Sequence, residues 1–421
     1  MHHHSLKNLA GMLLAATTMF SGAAMGQDHI ELRMAIWSAN EAHLALFNEI
    51  AADYKTQHPN VTVTFDPLVY GDFVTALSTQ IAGGNAPDLT WLGENTVADF
   101  VAAGALVPLG EAFRKTEGYD LDDYAPESIA AWSVNGVQYL YPFSTSPFGM
   151  FVNNDMIKAA GQKTPAELIA EGNWTWDAAI GVASEVAKTG KAGLVLRDFE
   201  YKDWSRLATV WTGWGAKTWS ADGKTCLFDQ PEMVDALSFV HDAIFEKKAL
   251  PGPGTTADFF AGDAAMTVTQ ISRASLLPKE DPFDWDLVPL PAGPKGEYGF
   301  VGSAGIAVLT ASKHQDEAVK FLAFLSNKDN VAKLARFFPP TRRSLLTAEV
   351  LAKANPLLTE KQLADVVVNG ITNGSSLAKH SGYEQIAQTI RASLDALWVP
   401  NADVKAVAAS LCGSLTPLLQ R

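Results

Sequence analysis

Between Ile30 and Leu92 the sequence changes its hydrophobic period four times, and few folds accommodate that order. Ile30-Glu31-Leu32-Arg33-Met34-Ala35-Ile36-Trp37 alternates as a strand, and Ser38-Ala39-Asn40-Glu41 supplies N-cap candidates for an amphipathic helix over Leu44 to Tyr54. Val61-Thr62-Val63-Thr64-Phe65 is a second strand and Tyr70 to Ala82 a second helix. Gly83-Gly84-Asn85-Ala86-Pro87-Asp88 breaks that helix and leads into a third strand, Leu89-Thr90-Trp91-Leu92. Such β-α-β-α-β alternation demands a parallel sheet with right-handed crossovers. In open sheets of this kind ligands bind beyond the carboxyl ends of the strands. The stretches Trp37 to His43 and Trp91 to Asn95 are therefore the first places to look for a site.

The chain opens with Lys7, an apolar run from Leu9 to Ala24, and Ala24-Met25-Gly26 before polar Gln27-Asp28. This is the pattern of a secretory signal peptide over residues 1–26, with an apolar core too short to span a bilayer. No Cys follows the cleavage pattern, so no lipid anchor is expected, and His2 to His4 read as an expression remnant rather than a metal site. Roughly 395 residues remain, too many for one compact core, which predicts two domains. Hydrophobic residues at 48% and charged residues at 19% are those of a globular protein. With 32 basic against 46 acidic residues and a net charge of -14, no basic surface for nucleic acid is expected. Beyond the leader no apolar run reaches about 18 residues, so a soluble periplasmic protein, monomeric and without cofactor or metal, is expected. Cys226 and Cys412 could pair in an oxidising compartment, but their spacing does not decide between a disulfide and two buried thiols.

Downstream, Gly136 to Pro142 gives a strand signal that Phe143-Ser144-Thr145-Ser146-Pro147 breaks, read as a first crossing between lobes. Phe148 to Asn153 is a strand, and Asn154 to Ala160 a helix closed by Gly161. A helical, Trp-rich region follows, with Trp174, Trp176, Trp204, Trp211, Trp214 and Trp219. Trp285-Asp286-Leu287-Val288-Pro289-Leu290-Pro291 suggests a second crossing, after which a strand, Gly305 to Leu309, and a helix, Asp316 to Leu325, return to the first lobe. Phe338 to Arg343 lies just past a third crossing, and the remainder is helical. The expected organisation is 27–141 and 289–327 in the N-terminal lobe, and 142–288 and 328–421 in the C-terminal lobe.

The order of local signatures resembles the family 1 extracellular solute-binding proteins of ABC sugar importers, the class that includes maltose-binding protein. Gln80 to Leu89 is similar to the family's glycine-Pro-Asp turn. Tyr139 to Pro142 followed by Phe151 to Met156 resembles its hinge strand and the element after it. Asn173-Trp174-Thr175-Trp176-Asp177 matches the Thr-Trp helix start, and Asp258 to Met266 the phenylalanine-glycine-Ala-Met segment. Gly302-Ser303-Ala304-Gly305 with the Ala318 to Leu325 helix, and Pro340-Thr341-Arg342-Arg343-Ser344, complete a series spanning nearly all of the mature chain. The resemblance implies an α/β, two-lobed periplasmic binding protein fold of type II, each lobe a mostly parallel sheet flanked by helices and joined by hinge strands. It also implies closure over a small sugar or glycoside, with the membrane subunits of an ABC transporter reading the closed form.

Sugars present hydroxyl rings edged by C–H faces, so their sites combine aromatic platforms with polar side chains and backbone N–H donors. Eleven Trp suit that demand, although large aromatics fill interiors by default. Position favours Trp91, after the third strand, and Trp211 and Trp214, in the glycine-spaced Trp211-Thr212-Gly213-Trp214-Gly215 stretch. Ser38, Asn40, Glu41 and His43 line the first strand-to-helix turn, where capping accounts for one of Ser38 and Asn40. By the resemblance, Glu94 and Asn95 bind sugar hydroxyls and Arg342 reaches the cleft, leaving Arg343 at the surface. Ser144 and Thr145 could donate from the hinge, and Gly302 and Ser303 allow close backbone approach. Where many relatives carry Gly-x-Trp after the Ala-Met strand, this chain has Thr269-Gln270-Ile271, so Gln270 replaces a stacking ring. The cleft reads as more polar than a maltodextrin groove, favouring a short solute that could carry a sulfonate or phosphate. The branch that binds sulfoquinovosyl glycerol is one resemblance of that kind.

The competing class is an exported carbohydrate hydrolase acting through paired carboxylates, whose separation no sequence reveals. The chain has no Gly-x-Ser-x-Gly elbow, no His-Glu-x-x-His helix and no Cys pair at zinc spacing. A repeat-built surface protein is disfavoured because no fixed period occurs.

Overall fold

The structure, a computed structural model, describes residues 29–124, 126–196, 201, 204–278 and 283–420. The signal segment 1–26 lies outside the described residues. Strands β1 (Ile30–Ile36), β2 (Val61–Pro67) and β3 (Leu89–Gly93) alternate with helices α1 (Glu41–Gln57) and α2 (Phe73–Ala82), as the period changes require. β1 pairs in parallel with β2 on one side, from Ile30 opposite Val61, and with β3 on the other, from Met34 opposite Leu89. Asp88 of the Pro-Asp turn locks this junction. Its carboxylate accepts from the Arg33 amide at 2.8 Å and from Ser312 Oγ at 2.5 Å, and its carbonyl accepts from the Leu309 amide at 3.0 Å.

A small hairpin, β4 (Ser133–Val134) and β5 (Val137–Gln138), precedes the long strand β6 (Leu140–Asn153). The second lobe adds β7 (Ala192–Leu196), β8 (Ala264–Gln270) and β9 (Trp285–Val288); β10 (Gly299–Val308) then crosses back, and β11 (Gly374–Ser375) pairs with its start. The strand order is β2-β1-β3-β10-β6-β8-β7, with β9 on β6. Two antiparallel strands thus carry the sheet from lobe to lobe. The first half of β6 faces β10, Leu140 opposite Ala307 through to Pro147 opposite Val301, and the second half faces β8 and β9.

β6 runs unbroken through the prolines at which an interruption was expected. Proline removes a ladder donor, and both fall where the ladder already changes. Pro142 sits at the register shift between Ala304 and Gly305, and Pro147 is the last residue before β6 exchanges β10 for β8.

The cores separate accordingly. Phe143 and Ala304 belong to the first lobe's core, Phe148 and Phe300 to the second's. The return crossing is therefore in β10, not at 285–291. Trp285–Val288 has the alternation and flanking prolines of a hinge, but its pairing with Met150–Asn153 holds it in the second lobe. Likewise Val331, Leu334, Phe337, Phe338 and Leu345 pack in the first core, so the chain leaves that lobe after Leu345 rather than near 328. Nothing in the helical period of this stretch specifies which sheet face it covers.

Cys226 and Cys412 are joined across 186 residues, tying the segment after Trp219 to the last helix, Val404–Leu419, inside the second core. The sequence left this pairing open. Disulfides typically contribute about 2–4 kcal/mol. Cys412→Ser, or a thiol reductant, should lower Tm by several degrees in a thermal melt, and an unchanged melting curve would show the second core to be self-sufficient.

Candidate functional site

The carboxyl ends of β1 and β3 meet the second lobe across a cleft whose floor is the β6–β10 crossing. At the first turn Asn40 is the cap, its Oδ1 accepting from the amides of Ala42 at 2.9 Å and His43 at 3.2 Å. Its Nδ2 is left to donate across the cleft to Ser275 Oγ, 3.2 Å away, in the turn after β8. Ser38 Oγ lies 2.8 Å from His43 Nδ1. His43 is buried against Phe337 and Phe338. Its Nε2 faces the backbone of Ser272 without a well-formed hydrogen bond. Glu41 is exposed in the first helical turn, where its charge complements the helix dipole.

Beyond β3, Glu94 is held by the Ser376 side chain and faces Lys379, both from the second lobe. Burial pushes its carboxyl up, and the Ser376 bond and the Lys379 charge only partly offset that. Asn95 folds back over Gly93, where a Cβ would lie 2.7 Å from Asn95 Oδ1, so a side chain there would displace the Asn95 amide.

On the floor, Ser144, Ser146 and Gly302 share one face with Phe148 and Gln270, while Thr145 and Ser303 pair on the other. A Cβ on Gly302 would lie 3.4 Å from Gln270 Nε2, which places the Gln270 amide directly over the crossing. Ser144 Oγ and Ser146 Oγ are buried without a protein partner. Buried hydroxyls are ordinarily satisfied, so these two invite an external acceptor or donor.

The large side chains are distributed differently from the sequence expectation. Trp91 is 1% exposed, packed among Trp37, Phe47, Phe143 and Phe338 in the first core. Trp211 stacks on Trp204 at 5.9 Å, Trp214 packs on Phe239 at 4.8 Å, and both lie in the second core. The glycines between them serve backbone contact: a Cβ on Gly293 would come within 2.2 Å of the Gly213 carbonyl oxygen. Arg342 is 1% exposed and does not line the cleft. Its guanidinium donates to the carbonyls of Tyr119 at 2.7 Å, Asp120 at 3.1 Å and Ser326 at 3.1 Å, beside the rings of Tyr119 and Tyr124 and the Asp123 carboxylate. Two loop carbonyls and one at a helix end need donors, and a planar fork satisfies them together. Arg343 is at the surface, donating to the Asp122 carbonyl.

The aromatic wall is made by Trp37, in the strand-end stretch where a site was expected, and by Tyr70, which no sequence motif marked. Trp37 is partly exposed and meets the 48%-exposed Tyr70 edge-on, and the buried Arg206 of the second lobe lies 5.4 Å from the Tyr70 ring centre and 5.7 Å from that of Phe148. Tyr70 follows the carboxyl end of β2 and was reachable by the strand-end rule. Arg206 stands in no motif, and only the tertiary structure brings it there.

The model of the bacterial extracellular solute-binding proteins matches residues 38–332. The chain belongs to that family. A putative binding protein of Brucella abortus is 22% identical over 98% of both chains, and the lactose-binding protein of Rhizobium radiobacter is 25% identical over 76% of this chain and 74% of its own. Among solved structures, the ABC substrate-binding protein from Listeria monocytogenes in complex with cycloalternan superposes with a TM-score of 0.81 at 21% identity, covering 93% of this chain and 100% of that one. The two-lobed fold of this solute-binding protein is therefore the one that the family and the structural likeness share. No helix among the described residues is long and apolar enough to cross a membrane.

Two side chains generate predictions. Arg342→Ala would strand three carbonyls and Asp123, so a loss of about 3 kcal/mol in chemical denaturation is expected, against little change for Arg343→Ala; equal small effects would contradict the interior role. Burial lowers the pKa of His43 from 6.5 to about 4, with the Ser272 backbone opposing. Below pH 6.5 the unfolded chain takes up a proton that the folded chain refuses, so stability falls as pH drops from 6.5 towards 4. His43→Gln should flatten that fall in melts run across the interval, and an unaltered slope would assign the acid sensitivity elsewhere.

Proposed function

We propose that this protein is a non-catalytic receptor that captures a small polar sugar or glycoside between its lobes in the periplasm and delivers it to the membrane subunits of an ABC importer. The observation that carries this reading is the floor of the cleft. Two crossing strands present the buried, partner-free hydroxyls of Ser144 and Ser146 beside the Gln270 amide, between lobes that can pivot about the same strands. Hydroxyl-rich solutes satisfy such groups in both directions, since each sugar hydroxyl donates and accepts. The partly exposed ring of Trp37 and the edge of Tyr70 supply apolar surface for the C–H faces. Ser38, Asn40, His43, Glu94, Asn95 and Gly302 stand around that floor as further contacts, while Thr145 and Ser303 lie on the opposite face of the crossing. The names of the relatives support a saccharide: one is a lactose-binding protein, and a superposable structure holds cycloalternan.

The finer reading is a short solute with an anionic substituent, such as a sulfonated or phosphorylated glycoside. It is supported by a polar residue, Gln270, in place of a stacking ring and by the guanidinium of Arg206 against the Tyr70 and Phe148 rings. Binding then draws the lobes together, and the transporter reads the closed form.

A thermal-shift screen against neutral, phosphorylated and sulfonated sugars tests this, because a solute bound by the folded state raises Tm by mass action. A hit should titrate in a calorimeter with 1:1 stoichiometry and no product, and Ser146→Ala should weaken it by about tenfold, roughly 1.4 kcal/mol. Turnover of the sugar would replace the receptor reading with a hydrolase. An anionic sugar binding no better than its neutral parent would remove the charged version alone.

A further inference from the structure

The segment after β11 runs from β10 past the first lobe and returns to the second lobe. It starts at Gly374–Ser375, paired with Gly299–Phe300 of β10, and ends at Gly382, which opens the helix Tyr383–Leu394. It touches the first lobe twice: Lys379 Nζ donates to the Ala131 carbonyl at 3.0 Å, and the Gly382 amide donates to Asp99 Oδ1 at 2.9 Å.

The last contact is unusual in its chemistry. Gly382, at φ 72°, is the N-cap residue of the helix Tyr383–Leu394 and carries no side chain to accept from its first turn. The capping carboxylate comes instead from Asp99, on the helix Val97–Ala102 of the other lobe. A negative charge at a helix N-terminus is favourable, and here it is available only while the lobes are together. One feature keeps the contact reversible: Glu384, also in the first turn, faces Asp99 with like charge. Lys379 facing Glu94 supplies an opposite, fastening charge.

We propose that residues 374–382 form a latch in which Asp99 of the first lobe caps the second lobe's helix Tyr383–Leu394, with Lys379 as a second fastening, so that the protein without solute already populates the closed arrangement. The proposal rests on the reading that the lobes pivot about β6 and β10, and it concerns the resting equilibrium rather than the solute. Pre-closure of this kind sets the apparent affinity for any solute, because the fraction of competent receptor multiplies the intrinsic constant. A latch of a few hydrogen bonds shifts such an equilibrium without preventing release, which a dry apolar interface would do.

The test uses the mature protein with no solute, so failure to find a sugar leaves it intact, and a sugar that binds does not by itself support it. Amide exchange at Gly382, read by NMR, should quicken about tenfold in Asp99→Ala, the loss expected for a hydrogen bond to a charged acceptor. Asp99→Asn, which keeps an acceptor oxygen, should lie between the two. The radius of gyration from small-angle scattering should increase in the Asp99→Ala, Lys379→Ala double variant, with an unchanged far-ultraviolet spectrum showing that the fold is retained. Exchange at Gly382 equal to that of the parent would overturn the proposal. Faster exchange with an unchanged radius would also overturn it, because Asp99 would then be a local cap and not a fastening between lobes.

Discussion

Everything in this molecule hangs on the antiparallel pairing of β6 with β10. Among the described residues it is the ladder that both lobes share, from Leu140 opposite Ala307 to Pro147 opposite Val301. Two strands resist shear along their length yet bend readily across it, so they fix the register of the lobes while leaving one soft direction. The prolines and the bulge concentrate at this crossing because it is where ladder bonds are exchanged between partners. On β6 the buried hydroxyls of Ser144 and Ser146 have no protein hydrogen-bond partner.

The first lobe is kept rigid against that soft direction by two buried polar clamps. Asp88 draws β1, β3 and the end of β10 together, and Arg342 gathers the loop at Tyr119 and Asp120 with the end of the helix Gln315–Leu325. Each places a charge in the interior, which is tolerable only because most of its hydrogen-bonding capacity is used. Family-typical residues can therefore be typical for reasons of architecture. Arg342 matched a family position and was expected in the cleft, but loop carbonyls claim it.

The β-α-β-α-β unit was legible almost residue by residue, because each element buries one face and the periods of 2 and 3.6 are distinct. The turn Ser38 to His43 was legible for the same reason: strand ends and cap residues are local. What misled was ambiguity between local patterns with the same appearance. Trp285–Val288 has the look of a hinge strand, and only its partner, Met150–Asn153, reveals otherwise. The Trp211 to Gly215 stretch resembles a binding loop, but its glycines pack backbone on backbone at Gly293 and its rings fill the second core.

The sequence by itself determined the class of the fold and pointed to the carboxyl ends of its strands, because both follow from hydrophobic period. The tertiary structure decided which aromatic rings are wall and which are core, that Cys226 reaches Cys412, that Arg206 stands against Tyr70, and that Asp99 caps a helix in the other lobe. Those pairs are separated by more than a hundred residues, and a side chain's surroundings at that range depend on how the sheet is crossed. No local period encodes that.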